Sequence, residues 1–237
     1  MLFEMKGVRK RYGSLVALAG LDLEVEKGEI VGLLGPNGAG KTTALKISAL
    51  LLNRESGELL YRGVPVETIR TEYLSNLGYV PENSIFYEDL TVEEVLEMMG
   101  ALRGRRDLTW ERDLLSRFNL DGKVDNLISE LSKGQKRGLS IVIALQHKPN
   151  FLLLDEPTSG LDPGHTHTFK GLIKEAAKKG AGVLLSTHIT SLAEDVCDRV
   201  AIIKEGRVAA GPAGVEELLE VGETSNLEEL FLKVVGG

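Results

Sequence analysis

The stretch Gly35, Pro36, Asn37, Gly38, Ala39, Gly40, Lys41, Thr42 fits the pattern G-x-x-x-x-G-K-[ST] without a mismatch. Upstream, Ile30 to Leu34 is a short apolar run of buried-strand type. Downstream, Ala44, Ile47, Ser48 and Leu51 recur at helical spacing. The glycines therefore join a strand to a helix, the context in which such a loop cradles phosphate. Gly38 and Gly40 let backbone N–H groups turn inward with no Cβ in the way, and the new helix adds the positive end of its dipole. Lys41 is placed to reach terminal phosphates and Thr42 to ligate Mg²⁺, so a nucleotide is the expected ligand.

Composition narrows the setting. A chain of 237 residues with 43% hydrophobic content and seven prolines is ordinary for a globular protein of one large or two small domains. The formal charge of -7 argues against a broad nucleic-acid surface, so phosphate binding must be local and no nucleic-acid partner is expected. The single cysteine, Cys197, cannot form an internal disulfide, and the start Met-Leu-Phe-Glu-Met-Lys lacks the apolar core of a signal peptide. No apolar stretch approaches the ~20 residues needed to cross a bilayer. A cytoplasmic protein is expected, with any membrane role exercised through a partner. The sequence has no internal repeat or low-complexity tract.

Taken in order, residues 1 to 32 mix alternating runs (Leu21, Leu23, Val25 against Asp22, Glu24, Glu26) with turn signals at Tyr12-Gly-Ser14 and Lys27-Gly-Glu29, which predicts antiparallel strands. Tyr12 could stack on a flat base or pack on its own strand; spacing does not separate the two. A strand is predicted over Gly57 to Gly63, a short helix over Thr68 to Ser75 and a buried strand over Leu77 to Val80. From Thr91 a helical insert begins: Val92, Val95, Leu96, Met99 and Leu102 share one face behind the capping box Thr91-Val-Glu-Glu94. Trp110, Leu114 and Phe118 continue at helical spacing, an apolar helix runs through Ile141 and Leu145, and Met98 and Met99 read as core filler.

Phe151 to Glu156 is an apolar strand ending in two carboxylates, a costly arrangement unless the acids face a metal or a proton to be moved. With a phosphate loop upstream, Asp155 is the candidate Mg²⁺ ligand and Glu156 the candidate base that orients water. Asp162-Pro163 caps the next helix, whose buried face is Phe169, Leu172, Ile173, Ala176 and Ala177. Gly182 to Ser186 is again a buried strand. His188 follows its carboxyl end, where an open α/β sheet gathers ligands, although a lone histidine there is by default structural. His147, His165 and His167 are expected to be solvated, and no zinc site is assigned. Val200 to Ile203 and Arg207 to Ala210 form a hairpin about Glu205-Gly206, and Ser225-Asn-Leu-Glu228 is a capping box for a short terminal helix from Leu230 to Val234.

With these pieces placed, the sequence closely resembles the ATP-binding subunit of ABC transporters over essentially its whole length. Walker A is Gly35 to Thr42 with Thr43 beside it. The signature, usually LSGGQ, stands as Leu131, Ser132, Lys133, Gly134, Gln135. Walker B is Leu152 to Asp155 followed by Glu156, Ser159 to Asp162 matches the D-loop, and His188 matches the switch histidine. Tyr12 falls where the family's adenine-stacking aromatic belongs. The resemblance implies an α/β fold: a P-loop NTPase core sheet with helices, an N-terminal antiparallel β layer and an α-helical subdomain at roughly 88 to 148, all within a single domain spanning 1 to 237. It implies ATP and Mg²⁺ as cofactors, with Thr42, Glu82 and Asp155 at the metal and Glu156 and His188 in catalysis. It also implies a homodimer or heterodimer in which each signature closes over the other subunit's ATP, docked on an integral membrane permease at the cytoplasmic face of the membrane.

Three departures stand out. Lys133 replaces the first signature glycine, Glu82 stands where the family's Q-loop usually has glutamine, and Gly138 replaces the arginine common after the signature. The run from Gly78 through Glu94 and the ending Leu227 to Lys233 look most like exporter subunits. Motifs alone leave open a soluble ABC ATPase, such as one serving iron-sulfur cluster assembly. ABC ATPases of DNA repair separate their two halves by long insertions, and only about 90 residues lie between Gly40 and Glu130 here.

Overall fold

The structure, a computed structural model, describes residues 1–103 and 109–236. In order, the strands and helices are β1 (Phe3–Tyr12), β2 (Leu15–Val25), β3 (Ile30–Leu34), α1 (Lys41–Ser48), β4 (Ser56–Tyr61), β5 (Val64–Pro65), α2 (Arg70–Ser75) and β6 (Leu77–Val80). They are followed by α3 (Val92–Leu102), α4 (Thr109–Arg117), α5 (Lys133–Leu145), β7 (Phe151–Asp155), α6 (Pro163–Lys178) and β8 (Gly182–Thr187). The chain closes with α7 (Thr190–Val196), β9 (Arg199–Lys204), β10 (Arg207–Ala213), α8 (Val215–Gly222) and α9 (Leu227–Gly236).

Two sheets result. The alternating N-terminal runs form an antiparallel sheet of order β2-β1-β4-β5, whose even spacing turns Leu21, Leu23 and Val25 inward. The continuous apolar runs form a second sheet of order β10-β9-β3-β8-β7-β6, in which every neighbouring pair from β9 to β6 is parallel. Strands buried on both faces carry no alternation, and all five residues of both β3 and β7 are buried. Because β3, β8, β7 and β6 are parallel neighbours, the segments leaving their carboxyl ends lie side by side along one edge. Those segments carry the phosphate loop, His188, Asp155-Glu156 and Glu82 respectively.

The insert between β6 and β7 packs α3, α4 and α5 around Leu114, Phe118, Leu120 and Leu139, all at most 1% exposed. Its entry is fixed by the predicted capping box: the Thr91 Oγ1 accepts from the Glu94 N–H at 3.2 Å, and Glu94 accepts from the Thr91 N–H at 2.8 Å. Gly138 sits in α5 because Phe118 fills the space in front of it; a Cβ there would lie 3.1 Å from the Phe118 ring.

Several expectations are corrected. Leu51 lies beyond α1 and is 66% exposed, because Leu50 turns to φ +56 and ends the helix. The helix expected from Thr68 begins at Arg70, with Thr68 donating to the Pro65 carbonyl at 2.8 Å instead. Leu102 ends α3 76% exposed, outside the buried face. Met99 packs on the core, whereas Met98 does not, and both line an open groove. His147 and His165 are not solvated. His147 Nε2 lies 2.7 Å from Arg103 Nη1, and the His165 ring packs on Phe118 with its Nδ1 2.7 Å from Asp162 Oδ2. At the terminal helix the cap is shifted by one residue: Asn226 Oδ1 accepts from the Glu229 N–H at 2.8 Å, because an amide oxygen at that position reaches the N3 donor directly.

Candidate nucleotide site

The loop between β3 and α1 opens onto a cleft of about 360 Å³ lined by Tyr12, Leu15, Val16 and Ala17, by Pro36 to Gly38 and Gly40 to Thr43, and by Glu82 and Glu156. Gly38 at φ +82 and Gly40 at φ +109 hold conformations that a side chain would strain. A Cβ on Gly40 would also lie 2.5 Å from the Ala17 carbonyl, so β2 seats closely on the loop. The β9–β10 turn supports the loop from behind, with the Gly206 N–H donating to the Ala39 carbonyl at 2.9 Å. Tyr12 stands at the mouth, 48% exposed, beside exposed Leu15 and Val16. These three residues form an apolar shelf of the kind that receives a flat ring.

Lys41 is 6% exposed, and its ammonium donates to the carbonyls of Gly35 at 2.6 Å and Pro36 at 3.2 Å while lying 3.5 Å from Glu156 Oε1. Thr42 Oγ1 donates to Asp155 Oδ1 at 3.1 Å, and Ser186 Oγ donates to the same oxygen at 2.5 Å. Asp155 is fully buried, yet its Oδ2 has no hydrogen-bond partner among the described residues. An orphaned buried carboxylate oxygen next to a threonine hydroxyl is a donor set suited to a hard cation such as Mg²⁺.

Glu156 is 8% exposed and adopts φ +43, a left-handed turn that swings its carboxylate off the end of β7 and into the cleft. Its N–H donates to the Ser186 carbonyl at 3.1 Å, and its Oε1 lies 3.0 Å from His188 Nδ1. The spatial order of strands thus brings Lys41, Thr42, Asp155, Glu156, His188 and Glu82 to one cleft, although up to 147 positions separate them in sequence.

The signature lies elsewhere. Ser132 and Gln135 close a capping box on α5, with Gln135 N–H donating to Ser132 Oγ at 3.2 Å and Ser132 N–H to Gln135 Oε1 at 2.9 Å. None of Ser132, Lys133, Gly134 and Gln135 lines the cleft of their own chain. Lys133 is exposed, and its aliphatic chain crosses Gly160 of the D-loop; a Cβ on that glycine would lie 3.4 Å from Lys133 Cε. Asp162 caps α6, accepting from the His165 N–H at 2.9 Å, and that bond holds its carboxyl below the usual range.

Two residues went unnoticed in the sequence. Ser186 bridges the two acids, and a lone hydroxyl ending the run Val-Leu-Leu was its only signal. Arg137, 4% exposed, donates to the Asp155 carbonyl and the Pro157 carbonyl at 2.8 Å each, and also to the carbonyls of Pro81 and Glu156. Burial pulls its pKa down to about 10, so it remains charged at neutral pH. Its signal was weak, an arginine next to Lys136 just ahead of the mainly apolar run from Leu139 to Leu145.

Comparison with known proteins agrees with this geometry. The family described as ABC transporter matches residues 18–159. An uncharacterized ABC transporter ATP-binding protein of Bacillus subtilis is 36% identical over 212 residues, which covers 88% of this chain and 68% of that protein. The Nod factor export ATP-binding protein I of Burkholderia lata is 37% identical over 210 residues, covering 87% and 69%. A solved structure of the ATP binding subunit of an ABC transporter superposes with a TM-score of 0.92 at 33% identity over 99% of both chains. A dimeric bacterial ABC transporter cassette superposes at 0.81 with 25% identity, over 88% of this chain and 97% of its own. The chain belongs to the ABC transporter family, as an ATP-binding subunit that hydrolyses ATP.

Proposed function

We propose that this chain, acting as one ATP-binding domain over residues 1–237, powers export through a separate integral membrane permease. The observation that carries the catalytic part is the cluster at the strand ends: Asp155 Oδ2 orphaned beside Thr42, with Glu156 between Lys41 and His188. In this reading Tyr12 stacks on adenine and Gly35 to Thr43 enclose the phosphates. Thr42, Asp155 and Glu82 hold Mg²⁺, which when bound would neutralise phosphate charge. Glu156 accepts the proton of the attacking water, and His188 fixes the orientation of that carboxylate.

Ser132, Lys133, Gly134 and Gln135 serve the ATP of an opposing subunit in a homodimer or heterodimer, with Asp162 at the same interface. Their exclusion from their own cleft and the position of Ser132 at the N-terminus of α5, a natural anion-facing end, support this. The dimeric relative is consistent with it.

Export is supported by the relatives named for Nod factor export. Among the described residues no helix is long and apolar enough to cross a membrane; in this reading the permease holds the chain peripherally at the cytoplasmic face. The groove lined by Tyr79, Pro81, Ile85, Phe86, Tyr87 and Met98 suits a permease segment: Ile85 is 93% exposed and Tyr87 70%. Affinity purification from detergent-solubilised membranes, followed by reconstitution in vesicles with the chain outside, tests the reading. ATP-driven accumulation of substrate in the lumen is expected. A chain that hydrolyses ATP but never retains a membrane protein contradicts it.

A further inference from the structure

We infer that a cavity beneath Trp110 is a binding site for a small apolar carboxylate, remote from the nucleotide cleft. The cavity, about 210 Å³, lies where the helical insert meets the core, with Trp110 and Leu145 on one side and Leu172, Ala176 and Ala181 on the other. Leu145, Leu172 and Ala181 are each at most 7% exposed, so its floor is largely hydrocarbon. Trp110 is pinned as a wall by its Nε1, which donates to the Leu145 carbonyl at 3.3 Å.

The rim is cationic. Lys148 Nζ lies 5.4 Å and Lys179 Nζ 5.3 Å from the centre of the Trp110 ring. Lys148 is held there by a backbone at φ +52, a region in which glycine or asparagine is usual. The one carboxylate on the rim, Glu175, is engaged by Arg117 Nη1 at 3.0 Å. Among the described residues neither lysine has an ion-pair partner, and both ammonium groups stand against the Trp110 ring above a largely apolar floor.

That pairing selects an occupant by chemistry. An engineered apolar cavity of ~150 Å³ admits benzene, so this one has room for a single ring or a short branched chain. A carboxylate at the mouth would meet both lysines, whereas nucleotide phosphates have no polar floor to bind. Because the cavity adjoins the start of β7 and Asp155 ends it, five residues at ~3.3 Å each separate the two sites by roughly 15 Å. Occupancy would brace the insert against the core.

Trp110 is the sole tryptophan, so its emission reports the site directly. Phenylacetate is titrated into the full chain, with phenylacetamide and benzylamine as uncharged and cationic counterparts, and binding is repeated by calorimetry. A saturable emission change is expected for phenylacetate, with the amide and the amine at least about tenfold weaker. Calorimetry on the Lys148→Met/Lys179→Met chain, with ATP hydrolysis intact, should show the same loss. Ala176→Leu, which fills the cavity, should abolish binding. The inference is overturned if phenylacetate gives neither saturation nor heat into the millimolar range, if the amide binds as tightly, or if Ala176→Leu binds unchanged.

Discussion

The Nη2 of Arg137 donates to the backbone carbonyl of Asp155 at 2.8 Å, a bond that runs from the helical insert to the end of the strand bearing the acids. The same guanidinium reaches the Pro81 carbonyl at the exit of β6, so one side chain ties together the insert, the Glu82 loop and the turn at Glu156. A lysine carries the charge but not the five-donor fork. Arg137→Lys should therefore abandon at least one buried carbonyl and cost about 1–3 kcal/mol, read as a lower urea midpoint. A change within the error of the midpoint would show that the fork is dispensable.

Glu156 is the acid nearest both His188 and Lys41. Glu156→Gln should keep ATP binding and lose turnover by ~10²–10⁴-fold, the range for a positioned base. Asp155→Asn should instead weaken Mg²⁺-dependent binding, since it alters the orphaned oxygen. Near-normal hydrolysis by the Glu156 variant would remove that residue from the role.

Glu82 is exposed on the lip of the cleft, and in the proposed function either a carboxylate or an amide oxygen there would serve a bound cation. Glu82→Gln is expected to be mild in an ATPase assay, and Glu82→Ala to uncouple hydrolysis from a permease. Complete loss in the glutamine variant would show that the charge itself is required.

At Gly138 the ring of Phe118, 1% exposed, occupies the space that a side chain would need. Gly138→Arg, although arginine is common at this position in the family, should therefore cost about 1–3 kcal/mol through overpacking, measurable by denaturation. An unchanged stability would mean that Phe118 moves freely.

Where a signal was local, the sequence was legible. The phosphate loop, the Thr91 capping box and the Asp162-Pro163 helix start depend on residues within seven positions of one another, and the structure shows each in place. Continuous apolar runs likewise marked the parallel strands, because burial on both faces removes alternation. What stayed hidden depends on which strands are neighbours. Ser186 matters because β8 lies beside β7 and pairs it with Asp155, and Arg137 because α5 packs under both loops. His165 was misread as solvated because nothing in its own neighbourhood announces Phe118. Gly138 had no sequence explanation for the same reason.

In the proposed function a complete site needs two chains, since Ser132 to Gln135 lie outside the cleft that Lys41 lines. The most direct measurement is the mass in solution, by light scattering, of the Glu156→Gln chain with and without ATP, alongside a Glu156→Gln/Ser132→Arg chain. For two identical chains an ATP-dependent dimer holding two ATP molecules is expected, with a double variant that still binds ATP but stays monomeric. A double variant that binds ATP and dimerises as fully as the Glu156→Gln chain would contradict a site shared between chains.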